Sequence, residues 1–102
     1  MSMLLYNVTF GIDKAIETEW ITWMKKHYIS SMMSTDLFTE YKMYKVLTHD
    51  DENSVSYSVQ CFAKTIEGVL KYLHEYAPHL TELHREKFKD RHVAFNTLLE
   101  EV

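Results

Sequence analysis

From Met3 to Phe10 apolar and polar positions alternate, with Tyr6, Val8 and Phe10 on one side and Leu5, Asn7 and Thr9 on the other. This period of two predicts a strand over residues 3–10. Gly11 breaks the alternation, and Asp13 can cap a following helix by accepting a first-turn backbone N–H. The period then lengthens: Ile16, Trp20, Trp23, Met24 and His27 recur at steps of three and four. One face of a helix running to about His27 or Ile29 therefore turns inward, while Lys14, Glu17, Thr18, Lys25 and Lys26 stay wet. The stretch Ser30 to Asp36 ends that helix. Residues 37–47 and 55–63 return to strand patterning rich in Thr, Tyr and Val. The turn-forming run His49-Asp50-Asp51-Glu52-Asn53-Ser54 joins them as a hairpin. Thr65 can cap a second helix with Ile66, Val69, Leu70, Leu73 and Ala77 on its apolar side. Pro78 makes that helix kink or restart, and Leu80, Leu83, His84 and Phe88 follow at helical spacing. Residues 92–99 alternate again, with Val93, Phe95, Thr97 and Leu99 on one face.

Strand–helix–strand–strand–helix–strand within 102 residues is the split-βαβ, ferredoxin-like order. It predicts one α+β domain over residues 1–102, a four-stranded antiparallel sheet with two helices on one face. The other face would carry Leu5, Asn7, Thr9, Ser56, Ser58, Gln60, Phe62 and Leu98, a mixture that suits either water or a second copy packed sheet to sheet. Composition narrows the partners. Apolar residues make up 46% of the chain, enough for a real core, and the net charge is −4 with no run of Lys or Arg. A nucleic-acid partner is therefore not expected. One cysteine precludes an internal disulfide or a thiolate metal cage. No apolar run is long enough to span a bilayer and no basic-then-apolar leader opens the sequence, so no membrane partner and a cytoplasmic location are expected.

The candidate chemistry lies on the inward faces. His27 and His84, with Trp23, Tyr6 and Tyr57, are the ligand-pocket candidates: two imidazoles able to donate, accept or shuttle a proton, beside aromatic rings that could stack on a ligand. The same residues also suit a packed core whose ring nitrogens and hydroxyls are satisfied by neighbours. No metal site and no cofactor are expected, because no HxH, HxxxH or HExxH spacing is present. Cys61 falls among apolar strand residues and should be inert, and His49, His74, His79 and His92 read as turn or surface residues. Three other chemistries of this fold lack their residues. There is no basic RNP-type strand, no glycine-rich arginine-bearing anion loop and no CxxC pair.

A set of short pieces carries a resemblance: Tyr6-Asn7-Val8-Thr9, Trp20-x-x-Trp23-Met24-x-x-His27, Tyr57-x-Val59-Gln60-x-Phe62-Ala63, Ala77-Pro78 and Asp90-Arg91-x-Val93-Ala94-Phe95-x-Thr97-Leu98-Leu99. Together these resemble a small bacterial family known as domain of unknown function 4286, over nearly the whole chain. The resemblance implies a place in the dimeric α/β-barrel group of ferredoxin-like proteins, a homodimer built sheet to sheet, and no assigned catalytic residue. The sequence departs from the family pattern at Ser30, where a proline would stand, and at Asp36 and Lys89, where glycines would. Two classes of function stay open. One is a homodimeric protein that binds a small molecule in the helix–sheet cleft or is purely structural. The other is an enzyme like the group's cofactor-independent monooxygenases and isomerases, or its haem-binding branch.

Overall fold

The computed structural model describes residues 3–48, 51–89 and 91–102. The strands β1 (Leu4–Asp13), β2 (Glu40–Val46), β3 (Ser54–Ala63) and β4 (His92–Glu100) form one antiparallel sheet in the order β2-β3-β1-β4. This is the ferredoxin-like arrangement that the alternation predicts. Gly11 does not end the first strand: β1 continues through it to Asp13, with Gly11 opposite Ser56 and Val93. A Cβ at Gly11 would sit 3.1 Å from Val93 Cγ2, so the missing side chain admits the neighbouring strand. β2 starts later than its pattern suggests, because Phe38 turns inward between the rings of Tyr6 and Tyr72. In the hairpin turn, Asp51 accepts from the backbone N–H groups of Asn53 and Ser54 at 2.8 Å each. His49 and Asp50 of that turn, and Asp90 before β4, lie outside the described residues.

The first helical run departs most from its pattern. Asp13 accepts from Ala15 N–H at 2.8 Å and caps a short 3-10 turn, Lys14–Ile16. Next come α1 (Glu17–Trp23), a widened π turn over Met24–Tyr28, and α2 (Ile29–Ser34). The residues expected to end the helix thus continue it. Its buried face is Ile16, Trp20, Met24, Tyr28 and Met32, an unbroken series of four-residue steps, with Ile29 beside it. In a regular α-helix each such step overshoots by about 40°, and the series would spiral off the core. The π turn absorbs the overshoot. It brings Tyr28 inward, and His27, expected on that face, stands exposed at the surface.

Asp36 closes α2 in the left-handed region, at φ 62°, where most side chains are strained. Replacing Asp36 with glycine is expected to raise stability by up to about 1 kcal/mol, because left-handed backbone costs an L-residue about 1–2 kcal/mol and glycine's extra chain entropy offsets part of the relief. Urea denaturation of both forms checks the sign.

α3 (Ile66–Glu75) starts at Thr65, whose hydroxyl accepts from Gly68 N–H at 3.1 Å. Tyr76 separates it from α4 (Ala77–Lys87), which carries Pro78 in its first turn. The buried side of α3 is Val69 with Tyr72, while Ile66 and Leu70 are exposed. Tyr72 replaces them because its ring packs on Tyr6 and Phe38. Both helical layers cover the Tyr6–Phe10 side of the sheet: Tyr72 of α3 meets Tyr6, while Trp20 of α1 and His84 of α4 meet Phe10. On the uncovered face the register puts Leu99 opposite Leu5 and turns Leu98, paired with Tyr6, toward the helix side. Leu98 therefore leaves the face on which it was expected, and Val93, Phe95, Thr97 and Leu99 occupy the β4 edge of it.

Candidate functional site

β4 is the edge strand that the helices leave least covered, and this produces a cleft. Opposite Phe10 stands Ala94, too small to fill the space beneath α4. The resulting cavity has a volume of about 170 Å³. Its floor is Tyr6, Val8 and Phe10 of β1 with Tyr28 from the π turn, its helix side is Thr81 and His84 of α4, and its strand side is His92, Ala94, Phe95 and Asn96. The floor and His84 are buried, and Thr81, Ala94 and Asn96 are exposed at the mouth.

His84 organises the back of the cleft. It is only 2% exposed, and its Nε2 accepts from the Trp20 indole N–H at 2.9 Å. An Nε2 that accepts carries no proton, so the proton of the neutral ring is on Nδ1. Burial first, then the neighbouring His92, pushes the pKa of His84 down to about 4, and the ring is uncharged at neutral pH. His92 sits edge-on with ring centroids 4.4 Å apart, and its Nδ1 donates to the Phe88 carbonyl at 2.9 Å. Along the floor, Asn96 Nδ2 donates to the Tyr6 hydroxyl at 3.4 Å. Burial raises the pKa of Tyr6 and of Tyr28, so both phenols keep their protons. Behind them the Tyr72 hydroxyl is buried near Tyr28 without a hydrogen bond of normal geometry.

The five residues singled out from sequence are divided by the structure. Tyr6 and His84 line this cleft. Trp23 is half-buried behind it, 5.8 Å from the His84 ring and 6.0 Å from that of His27. Tyr57 belongs to a different groove, of about 440 Å³, lined with Ile21, Lys25, Tyr41, Lys42, Met43 and Tyr44. Its hydroxyl donates to Glu17, which also pairs with Lys45 at 3.4 Å. The Tyr57 hydrogen bond, then Lys45, hold the Glu17 carboxyl below its usual range. His92, expected at the surface, instead joins the cleft. The signal for His92 and Asn96 was present in the period-two set His92-Ala94-Asn96, the complement of Val93-Phe95-Thr97. Among the described residues no three His, Cys, Asp or Glu side chains come together as metal ligands, and no helix is long and apolar enough to cross a membrane.

A family model described as domain of unknown function (DUF4286) matches residues 3–102. The fold is similar to solved structures of low sequence identity. One is a dimeric ferredoxin-like protein from an uncultured marine organism (12% identity, 100% of this chain and 97% of that chain covered, TM-score 0.68). Another is a dimeric ferredoxin-like protein of unknown function from Thermobifida fusca (10% identity, 96% and 92% covered, TM-score 0.62). A third is SnoaB, a cofactor-independent oxygenase from Streptomyces nogalater (11% identity, 95% and 90% covered, TM-score 0.64). No curated protein matches the chain.

Proposed function

We propose that this chain, which belongs to the DUF4286 family, is a homodimeric protein that binds a small molecule in the cleft between α4 and β4. One observation carries the reading: a buried, uncharged imidazole, His84, is fixed by Trp20 at the back of a cavity that Tyr6, Thr81, His92 and Asn96 surround with hydrogen-bonding groups. Such a meeting of apolar walls and a few aimed polar groups is the usual form of a ligand site. The arrangement favours binding over proton abstraction. The indole already occupies the one His84 nitrogen that could act as a base, so the ring offers a donor.

The homodimer is supported by the uncovered face and by two similar folds described as dimeric. Val93 is 71% exposed, Phe95 64% and Leu99 46%, and Leu5 and Phe62 border a groove beside Leu99. An apolar rim of this kind flanks a bonded polar centre, where Ser58 donates to Asn7 at 2.5 Å and Asn7 to Thr9 at 3.1 Å. Packing two such faces should bury on the order of 1,200–2,000 Å². Native mass spectrometry and sedimentation test both halves of the reading. The expected result is a two-chain species, converted to single folded chains by Val93→Lys with Leu99→Lys, and a small-molecule mass retained by protein from its own cell. A clean monomer at tens of micromolar with no retained mass overturns it.

A further inference from the structure

We infer that the cleft takes an uncharged, single-ring molecule with hydrogen-bonding groups on its rim, of the chemistry of a phenol or an aromatic amide. The inference rests on the reading of this cleft as the binding site. Size sets the first limit. Drug-sized ligands occupy about 300–1,000 Å³, whereas an apolar cavity of about 150 Å³ holds benzene. At about 170 Å³ the cleft accommodates one ring and one or two small substituents.

Charge sets the second limit. Among the described residues, no Lys, Arg, Asp or Glu lines the cavity. Its polar groups are phenol, hydroxyl, amide and imidazole, and His84 is locked as a neutral ring by the indole that fills its Nε2. An ionised ligand would surrender its hydration on the floor side and meet no counter-charge there, a cost that dipoles alone repay poorly. An uncharged ligand meets partners of both kinds. Nδ1–H of His84 donates, Tyr6 and Thr81 do either, and Asn96 supplies both an amide N–H and a carbonyl. The walls agree in shape, since Phe10 lies 4.9 Å from the His84 ring and Ala94 leaves the strand side flat.

The test is titration of the isotopically labelled protein at pH 7 with phenol, benzamide, benzoate and benzylamine, following backbone and side-chain NMR signals. Phenol and benzamide are expected to shift Thr81, His84, Ala94 and Asn96 saturably at millimolar concentration. Benzoate and the benzylammonium ion should bind at least tenfold more weakly, and Ala94→Phe, which fills the cavity from an exposed strand position, should abolish the shifts. If Ala94→Phe does not fold, Asn96→Leu serves instead and should weaken phenol at least threefold. Charged rings that bind these residues as tightly as phenol overturn the ligand class and leave the cleft standing as a site. Shifts from no probe, or phenol binding unchanged in the folded variant, overturn the cleft reading itself and the ligand class with it.

Discussion

Replacing Trp20 with alanine is expected to destabilise the protein by about 3–5 kcal/mol, the cost of emptying a large aromatic site in a packed core. Against a total of about 5–15 kcal/mol for a small domain, that variant should be marginally folded. Trp20 is fully buried, with ring centroids 5.4 Å from Phe10 and 5.2 Å from Tyr57, and it is the donor that satisfies His84. Trp20→Phe separates the two roles. It keeps most of the ring but strands His84 Nε2 in a buried position, at about 1–3 kcal/mol. Adding His84→Leu removes the stranded acceptor, so the double variant should lose less than the sum of the singles. Urea midpoints of the four proteins measure this. A Trp20→Phe protein within about 0.5 kcal/mol of wild type, the usual scatter of neutral surface changes, would deny the hydrogen bond its role.

The strands were legible because a period of two is set by the pleat and nothing else in the chain imitates it. Asp13, Thr65 and Pro78 were legible for a local reason: each acts on backbone within its own turn. Phase along the first helical run was not legible. Trp23 and His27 sit at ordinary helical spacing, and only the backbone pattern of Met24–Tyr28 selects Tyr28 over His27 as the inward residue. Tyr72 was missed on α3 because a tyrosine's place in a core depends on which rings it meets, here Tyr6 and Phe38. Within the site, Tyr6 and His84 come together through the sheet register and the α4 phase, while Tyr57, on the same sheet face, is carried to another groove by β3. Distance across strands, not facing direction, decides which of two inward residues share a cavity.

The cleft has a simple origin in this packing. The helices place their large buried rings over β1 and β3, where Trp20 meets Phe10 and Tyr57 and Tyr72 meets Tyr6, whereas β4 is exposed from Val93 to Glu100. Ala94 then leaves a gap beneath α4 into which His84 and His92 project. The same strand presents Val93, Phe95 and Leu99 to the uncovered face, so β4 separates the proposed ligand site from the proposed dimer surface by the thickness of one strand.

Acid should weaken the fold through His84 before any carboxylate contributes. The folded-state pKa is lowered to about 4 from 6.5, chiefly because the ring is desolvated and secondarily because His92 adjoins it. Below pH 6.5 the unfolded chain binds a proton that the folded chain refuses until about pH 4, and the excess of bound protons in the unfolded state makes stability fall as pH falls. The stabilising contribution is thus fully present above pH 6.5 and lost across the window from there to about pH 4. With 1.36 kcal/mol per pKa unit, the loss between about pH 8 and pH 5 should be about 2 kcal/mol, approaching about 3 kcal/mol near pH 4. Asp13, Glu17 and Asp51 have carboxyls held below their ordinary values of 3.8, 4.5 and 3.8, so their contributions fade at lower pH. Burial shifts the Tyr6 and Tyr28 phenols and the Cys61 thiol upward, away from this window. His84→Gln gives the control, since its amide oxygen can still accept from Trp20 but does not titrate. Urea midpoints measured every half unit from pH 8 to 5 should fall for the wild type and stay nearly level for the glutamine variant. Equal slopes for the two proteins would show that His84 is protonated in the fold as readily as in the unfolded chain, and the neutral imidazole at the back of the cleft would have to be abandoned.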